Sequence, residues 1–155
     1  SKAACLPWQR FREEGAAVLV GNDGYGFNLS NDVRFMILGP HYIQRDPKAS
    51  YSGDLNPSLF GANYELATRT FGANIGTIRE GSSADLIVLN YRSPTEITAE
   101  NFVDHFFFGI CDNILVSDVF VGGERVLAQG VPTKVDEEII YREARRLYKA
   151  FEKRF

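Results

Sequence analysis

The spacing of apolar residues changes character along the chain, and each change predicts an element. Ala16, Ala17, Val18, Leu19 and Val20 form an unbroken apolar run, the pattern of a strand buried on both faces of a parallel sheet. The segment before it, 7–14, reads as a helix with Pro7 in its first turn and Gly15 as its stop. Residues 29–43 predict another helix, capped by Ser30 or Asn31 and disturbed at Gly39-Pro40. Polar, turn-rich residues over 45–56 predict a loop. A helix follows over 57–71, apolar at Leu59, Phe60, Leu66, Ala67 and Phe71 and closed by Gly72.

Beyond Gly72 short periods dominate. Residues 76–83 read as a turn, 84–89 as a strand, and 98–108 as a short helix with Thr98 as its cap. Residues 113–121 and 124–128 read as two strands joined through Gly122-Gly123, a pair suited to a tight hairpin. The chain closes in a helix over 136–153. Asp136 can cap it, Glu137 and Glu138 suit the positive end of its dipole, and Arg145, Arg146, Lys149 and Lys153 suit the negative end. Ile140, Ala144, Leu147 and Phe151 share one face, which predicts that this helix packs against something.

Composition narrows the class. With 155 residues, 45% of them hydrophobic and 24% charged, the chain is long enough for one good core. A net charge of -3, without any basic block, gives no reason to expect nucleic acid or a membrane surface as partner. The apolar runs are far short of the roughly 20 residues that cross a bilayer. The first residues show no basic-then-apolar signal pattern, so a cytoplasmic protein is expected. Ser1 stands where an initiator Met would, and a helix leads almost at once into an inner strand, so a piece of something longer is expected. Cys5 and Cys111, far apart and in no metal-ligand spacing, read as buried reduced thiols.

Candidate chemistry centres on Asp23. The apolar run delivers this carboxylate at the C-terminal end of the predicted strand, where catalytic groups of α/β enzymes sit. It could be a metal ligand or general base; an Asp bonding its own backbone in a turn before Gly24 is the ordinary alternative. Gly21, Gly24 and Gly26 do not follow the G-x-G-x-x-G order, no P-loop ending follows, and the alternating carboxylates of an EF-hand are lacking. The histidines, His41 and His105, belong to no zinc-binding pair. His41 is a substrate-side candidate; His105 reads as a helix residue with one satisfied ring nitrogen. Phe106, Phe107 and Phe108 read as core before docking patch.

A resemblance adds what these local readings lack. Gly76-Thr77-Ile78-Arg79-Glu80-Gly81-Ser82-Ser83-Ala84-Asp85-Leu86-Ile87-Val88-Leu89 resembles the G-x-I-x-x-G-x-x-A-D-L-x-V-L segment of the amidohydrolase superfamily. Residues 116–127, with Val116, Val119, Val121, Gly123 and Val126, are similar to its V-x-x-V-x-V-x-G-x-x-V hairpin, and Val20-Gly21-Asn22-Asp23-Gly24 to its L-G-T-D-G strand end. The nearest flavour is the aminohydrolase and chlorohydrolase branch. Asp23-Gly24-Tyr25 and the closing helix are most similar to the aminohydrolases of selenium-associated gene clusters.

The resemblance implies an α/β fold: the C-terminal end of a metal-dependent hydrolase (β/α)8 barrel plus the C-terminal part of its small composite β-sandwich. The division it implies is barrel strand and helices over 1–75, sandwich strands and hairpin over 76–130, and the closing helix over 131–155. By position Asp23 matches the metal-ligating Asp of the last barrel strand, which binds zinc or iron and takes a proton from the attacking water. Asn22 stands where Thr is usual. The family's H-x-H and later histidines are absent from this sequence, and a hydrolytic metal needs about three protein ligands. The expectation is therefore a full-length enzyme that uses zinc or iron to hydrolyse a C–N or C–Cl bond of a small, heterocyclic substrate. This chain alone is expected to hold no metal tightly, to turn over nothing, and to self-associate as a homo-oligomer. The competing reading is a non-catalytic folding or oligomerisation module.

Overall fold

The computed structural model describes residues 7–24 and 26–154. Expectations resting on Cys5, Tyr25 and the first residues lie outside the described residues. Contacts divide the chain into two units, one comprising the chain up to Ser83 with Asn90–Leu115, the other Ala84–Leu89 with the chain from Val116 onward.

The first unit is helical. Helix α1 (Trp8–Glu13) starts after Pro7 and stops where Gly15 takes a φ of +79°. Helix α2 (Leu29–Gln44) is capped by Asn28, not by Ser30 or Asn31: the Asn28 side chain accepts from the Ser30 N–H at 3.0 Å. Nor does Gly39-Pro40 break it. Proline has no N–H for the carbonyl four residues back, here that of Met36, and the Trp8 indole donates to that oxygen at 3.1 Å. The lost helical bond is thus replaced from α1, and Trp8 itself is 1% exposed.

The predicted 45–56 loop contains a further helix, α3 (Ser52–Asn56), opened by reciprocal bonds between Tyr51 and Asp54. A wide π-helical turn, Pro57–Ala62, continues it into α4 (Asn63–Phe71), which Gly72 closes at φ +66°. Helix α5 (Phe102–Asp104) likewise runs on as a π turn, His105–Ile110. The core gathers Trp8, Val18, Val20, Val33, Ile37, Leu55, Leu59, Phe107 and Cys111. Phe106 packs edge-on against Phe60 with ring centroids 4.9 Å apart, but Phe108 is exposed, so the aromatic triplet is core only in part. Both ring nitrogens of His105 are engaged, Nδ1 with the Tyr91 hydroxyl at 2.8 Å and Nε2 with the Thr95 hydroxyl at 3.0 Å.

The second unit is a four-stranded antiparallel sheet in the order β1-β2-β3-β4, followed by a helix. Strand β1 (Leu86–Leu89) pairs with β2 (Val116–Val121), Ile87 opposite Val119. Gly122 and Gly123, at φ +56° and +84°, turn β2 into β3 (Glu124–Ala128), and a short β4 (Val131–Pro132) that the pattern did not predict completes the sheet. Helix α6 (Glu137–Glu152) begins as expected: the Asp136 carboxylate accepts from the Ile139 N–H at 3.2 Å. None of its residues is buried within this structure. No helix is long and apolar enough to cross a membrane among the described residues.

The motif glycines and the motif Asp acquire reasons. Gly76 sits at φ +88°, and a Cβ there would lie 2.2 Å from the Tyr64 ring, so both conformation and space demand glycine. Asp85 accepts from the backbone N–H of Gly122 at 2.8 Å, and Gly123 donates to the Ala84 carbonyl at 3.0 Å. The two motifs that stand apart in sequence are therefore one hydrogen-bonded corner of the sheet.

Candidate functional site

Residues 16–20 carry two core residues, Val18 and Val20, but they join no strand ladder among the described residues, and Ala16, Ala17 and Leu19 are exposed, so the expected strand buried on both faces is not formed here. A strand exists only through a neighbour, and the polar groups of a buried backbone must still be paired. At Val20 the partner is a side chain. The Val20 N–H donates to Asn63 Oδ1 at 2.9 Å, and Asn63 Nδ2 donates back to the Val20 carbonyl at 2.9 Å. A carboxamide thus occupies the place of a neighbouring peptide group. Leu19, Val20 and Asn63 line an open cleft of about 350 Å³ with Leu66, Ala67 and Phe71.

Asp23 follows three residues later. It is exposed, and its backbone is left-handed at φ +50°, a conformation Asp adopts more readily than most residues. Its carboxylate has no hydrogen-bond or ion-pair partner among the described residues. The turn-type bond to its own backbone is not among the bonds formed there. The loop is closed instead by Asn22, whose Nδ2 donates to the Gly26 carbonyl at 2.5 Å. That gives a role to the residue standing where Thr was expected: it ties the two ends of the Asp23 loop together.

His41 lies on the last turn of α2, where its Nε2 donates to the Ser50 carbonyl at 2.7 Å; a carbonyl only accepts, so this nitrogen carries the proton. Its surroundings are Tyr42, Ile43 and Arg45. No bond links it to Asp23. One nitrogen is thereby committed to holding Ser50, and the other has no hydrogen-bond partner among the described residues.

An exposed carboxylate without competing partners suits a divalent cation in its donor chemistry. Among the described residues, however, no group of three or more His, Cys, Asp or Glu side chains is gathered that could hold a metal ion. The sequence reading missed Asn63. Its only local signal is a polar residue amid Phe60, Leu66 and Ala67.

No protein-family model matches the chain. Curated relatives do. A 5′-deoxyadenosine deaminase of Methanococcus aeolicus is 28% identical over 148 residues, covering 92% of this chain and 33% of the relative. A 5-methylthioadenosine/S-adenosylhomocysteine deaminase of Thermotoga maritima is 27% identical over 143 residues, with 92% and 34% covered. Among solved structures, an adenosine deaminase from Xanthomonas campestris with bound zinc superposes with a TM-score of 0.70 at 18% identity, over 95% of this chain and 34% of that one. The chain thus spans about a third of the length of the curated relatives it matches. Over that third it is similar to proteins named as nucleoside deaminases.

Proposed function

We propose that the protein is the C-terminal share of a metal-dependent aminohydrolase that deaminates a small nucleoside-like heterocycle, with Asp23 as metal ligand and proton acceptor. The observation that carries this reading is the likeness to nucleoside deaminases over 92% of the chain, with an unpartnered carboxylate three residues beyond the Val20–Asn63 pair. In this reading residues 1–75 complete a (β/α)8 barrel, 76–130 complete a composite β-sandwich, and 131–155 close the chain. The run over 16–20 is then a barrel strand whose neighbours come from the rest of the full-length protein, which is cytoplasmic and homo-oligomeric.

Zinc or iron, when bound, brings the pKa of a water toward neutrality. Asp23 would supply one ligand to the metal and, as a carboxylate, would take the proton of the water whose oxygen bonds to the amino-bearing ring carbon. The proton is returned to the departing nitrogen, and ammonia leaves. Where the ring carbon carries chlorine instead, chloride would leave with the bonding pair and the proton would pass to solvent; which leaving group is served depends on loops outside this chain. His41, with one nitrogen held by Ser50, keeps the other for a substrate polar group.

The test is ammonia release from 5′-deoxyadenosine, and chloride release from the analogue with chlorine in place of its amino group, by the full-length gene product. Asp23→Asn lowers kcat by about a hundredfold or more, the scale of a lost general base. The 155-residue chain alone shows neither turnover nor stoichiometric zinc; tight zinc on the chain alone, by plasma mass spectrometry, overturns the reading.

A further inference from the structure

We infer, independently of the deaminase reading, that residues 16–20 are a surface for pairing with the same segment of a second copy, and that the Asn63 carboxamide keeps this surface closed. Ala16-Ala17-Val18-Leu19-Val20 carries no charge, proline or glycine and is set between Gly15 and Gly21. Short apolar runs of this kind stack on copies of themselves when their backbone is open to another strand. Here it is partly open. Ala17, Val18 and Leu19 make no hydrogen bond among the described residues, and the one at Ala16 runs from its N–H to the Phe11 carbonyl, at 2.8 Å. Burial alternates along the run, with Ala17 and Leu19 exposed and Val18 and Val20 buried. That period of two is a strand's, with one face on the core. What the run lacks is a neighbour.

At Val20 that place is taken. A strand neighbour engages the N–H and carbonyl of one residue together, as the two members of a hydrogen-bonded pair do. Asn63 already holds both groups of Val20 with one planar carboxamide, at 2.9 Å each. Asn63 is itself held, since it opens α4 and its backbone N–H is bonded to the Ser58 carbonyl. A side chain, unlike a strand, offers no further edge, so it satisfies Val20 without extending a sheet. The flank beside it is apolar: the exposed side chains of Leu19, Leu66 and Phe71 line one open cleft with Val20 and Asn63. Once the carboxamide is lost, an incoming copy finds two unpaired backbone groups and apolar surface to cover, and both favour its staying.

Fibril growth by the 155-residue chain, read by thioflavin fluorescence, together with hydrogen exchange at the Val20 amide, is the test. Asn63→Leu keeps the size of the side chain and offers Val20 nothing. It speeds Val20 exchange about tenfold or more, the scale of one lost hydrogen bond, and shortens the lag before fibrils about tenfold. Thr68→Ala removes another bond from α4, to the Ile75 N–H at 3.2 Å, and leaves both readings within about twofold, which separates an opened edge from a loosened helix. Leu19→Lys puts a charge on the exposed side of the run; added to Asn63→Leu, it restores the wild-type lag while Val20 exchange stays fast. Should Asn63→Leu fail to fold, Asn63→Ser, whose hydroxyl can serve one of the two bonds, gives the same changes at smaller size. Fast Val20 exchange with a wild-type lag overturns the role of Asn63, as does wild-type exchange in both Asn63 variants. Fibrils that grow as fast with Leu19→Lys as without it show that another segment pairs, and overturn the surface itself.

Discussion

At the scale of single residues, the structure is decided by where backbone polar groups find partners. Pro40 frees the Met36 carbonyl, and the Trp8 indole takes it. Trp8→Phe should therefore cost about 1–3 kcal/mol for the orphaned carbonyl, beyond any loss of packing. Pro40→Ala restores a helical N–H to that carbonyl, so it should be more favourable by about 1 kcal/mol in the Trp8→Phe background than in the wild type. A urea-denaturation cycle with no coupling between the two sites would sink this account. Cys111 gives a second residue-scale outcome. Burial pushes its thiol up to about 11, against the opposing pull of the Arg34 guanidinium. Near pH 8 only about one thiol in a thousand is then ionised, and the thiolate is the reactive form. In a Cys5→Ser variant, Ellman's reagent should label Cys111 only as the protein unfolds; prompt labelling of the folded chain contradicts its burial.

At the scale of elements, what could be read in the sequence was whatever local chemistry fixes. The Gly72 stop, the Gly122-Gly123 turn and the Asp136 cap each depend on a few neighbouring residues, and each formed. Helix α3 and the course of α2 through Pro40 depend on groups far along the chain, which no window of sequence contains. The same holds at the site. Asp23 stands out by its place after an apolar run, whereas Asn63 acquires meaning only when Val20 lies beside it. The sheet offers a test at this scale. The Arg125 guanidinium, donating to the Asp118 carboxylate, holds that carboxyl below the usual range, helped by the Ser117 hydroxyl and the Gln129 N–H. A carboxyl whose folded pKa is depressed stabilises the fold above its unfolded value, near pH 4, and that contribution is lost as pH falls through the folded value. Asp118→Asn should thus weaken the sheet at pH 7 and flatten the acid limb of its stability profile. An unchanged slope between about pH 5 and 2 would remove the carboxylate from the account.

At the scale of the whole molecule, apolar side chains are exposed in each unit. Leu19, Leu66 and Phe71 are exposed in the helical unit, and Ile87 and Val88 in the sheet. On α6 the residues that the pattern placed on one face, Ile140, Leu147 and Phe151, are 51%, 57% and 55% exposed. That stripe was legible because its period is helical; what covers it was not, since a period names a face and not its partner. The first half of α6 carries Glu137, Glu138 and Glu143, and the second carries Arg145, Arg146 and Lys149. Two copies laid antiparallel along the stripe would set acidic half against basic half, while a parallel pair would set like against like. The isolated chain is therefore expected to self-associate through α6. Light scattering should give a mass above that of one 17.4 kDa chain, rising with concentration and falling back when Leu147→Lys and Phe151→Lys are combined. Added salt weakens the charge pairing but strengthens apolar burial, so association that survives 1 M salt yet yields to the double substitution assigns it to the stripe. A single-chain mass at the highest attainable concentration would show that this face holds no second copy.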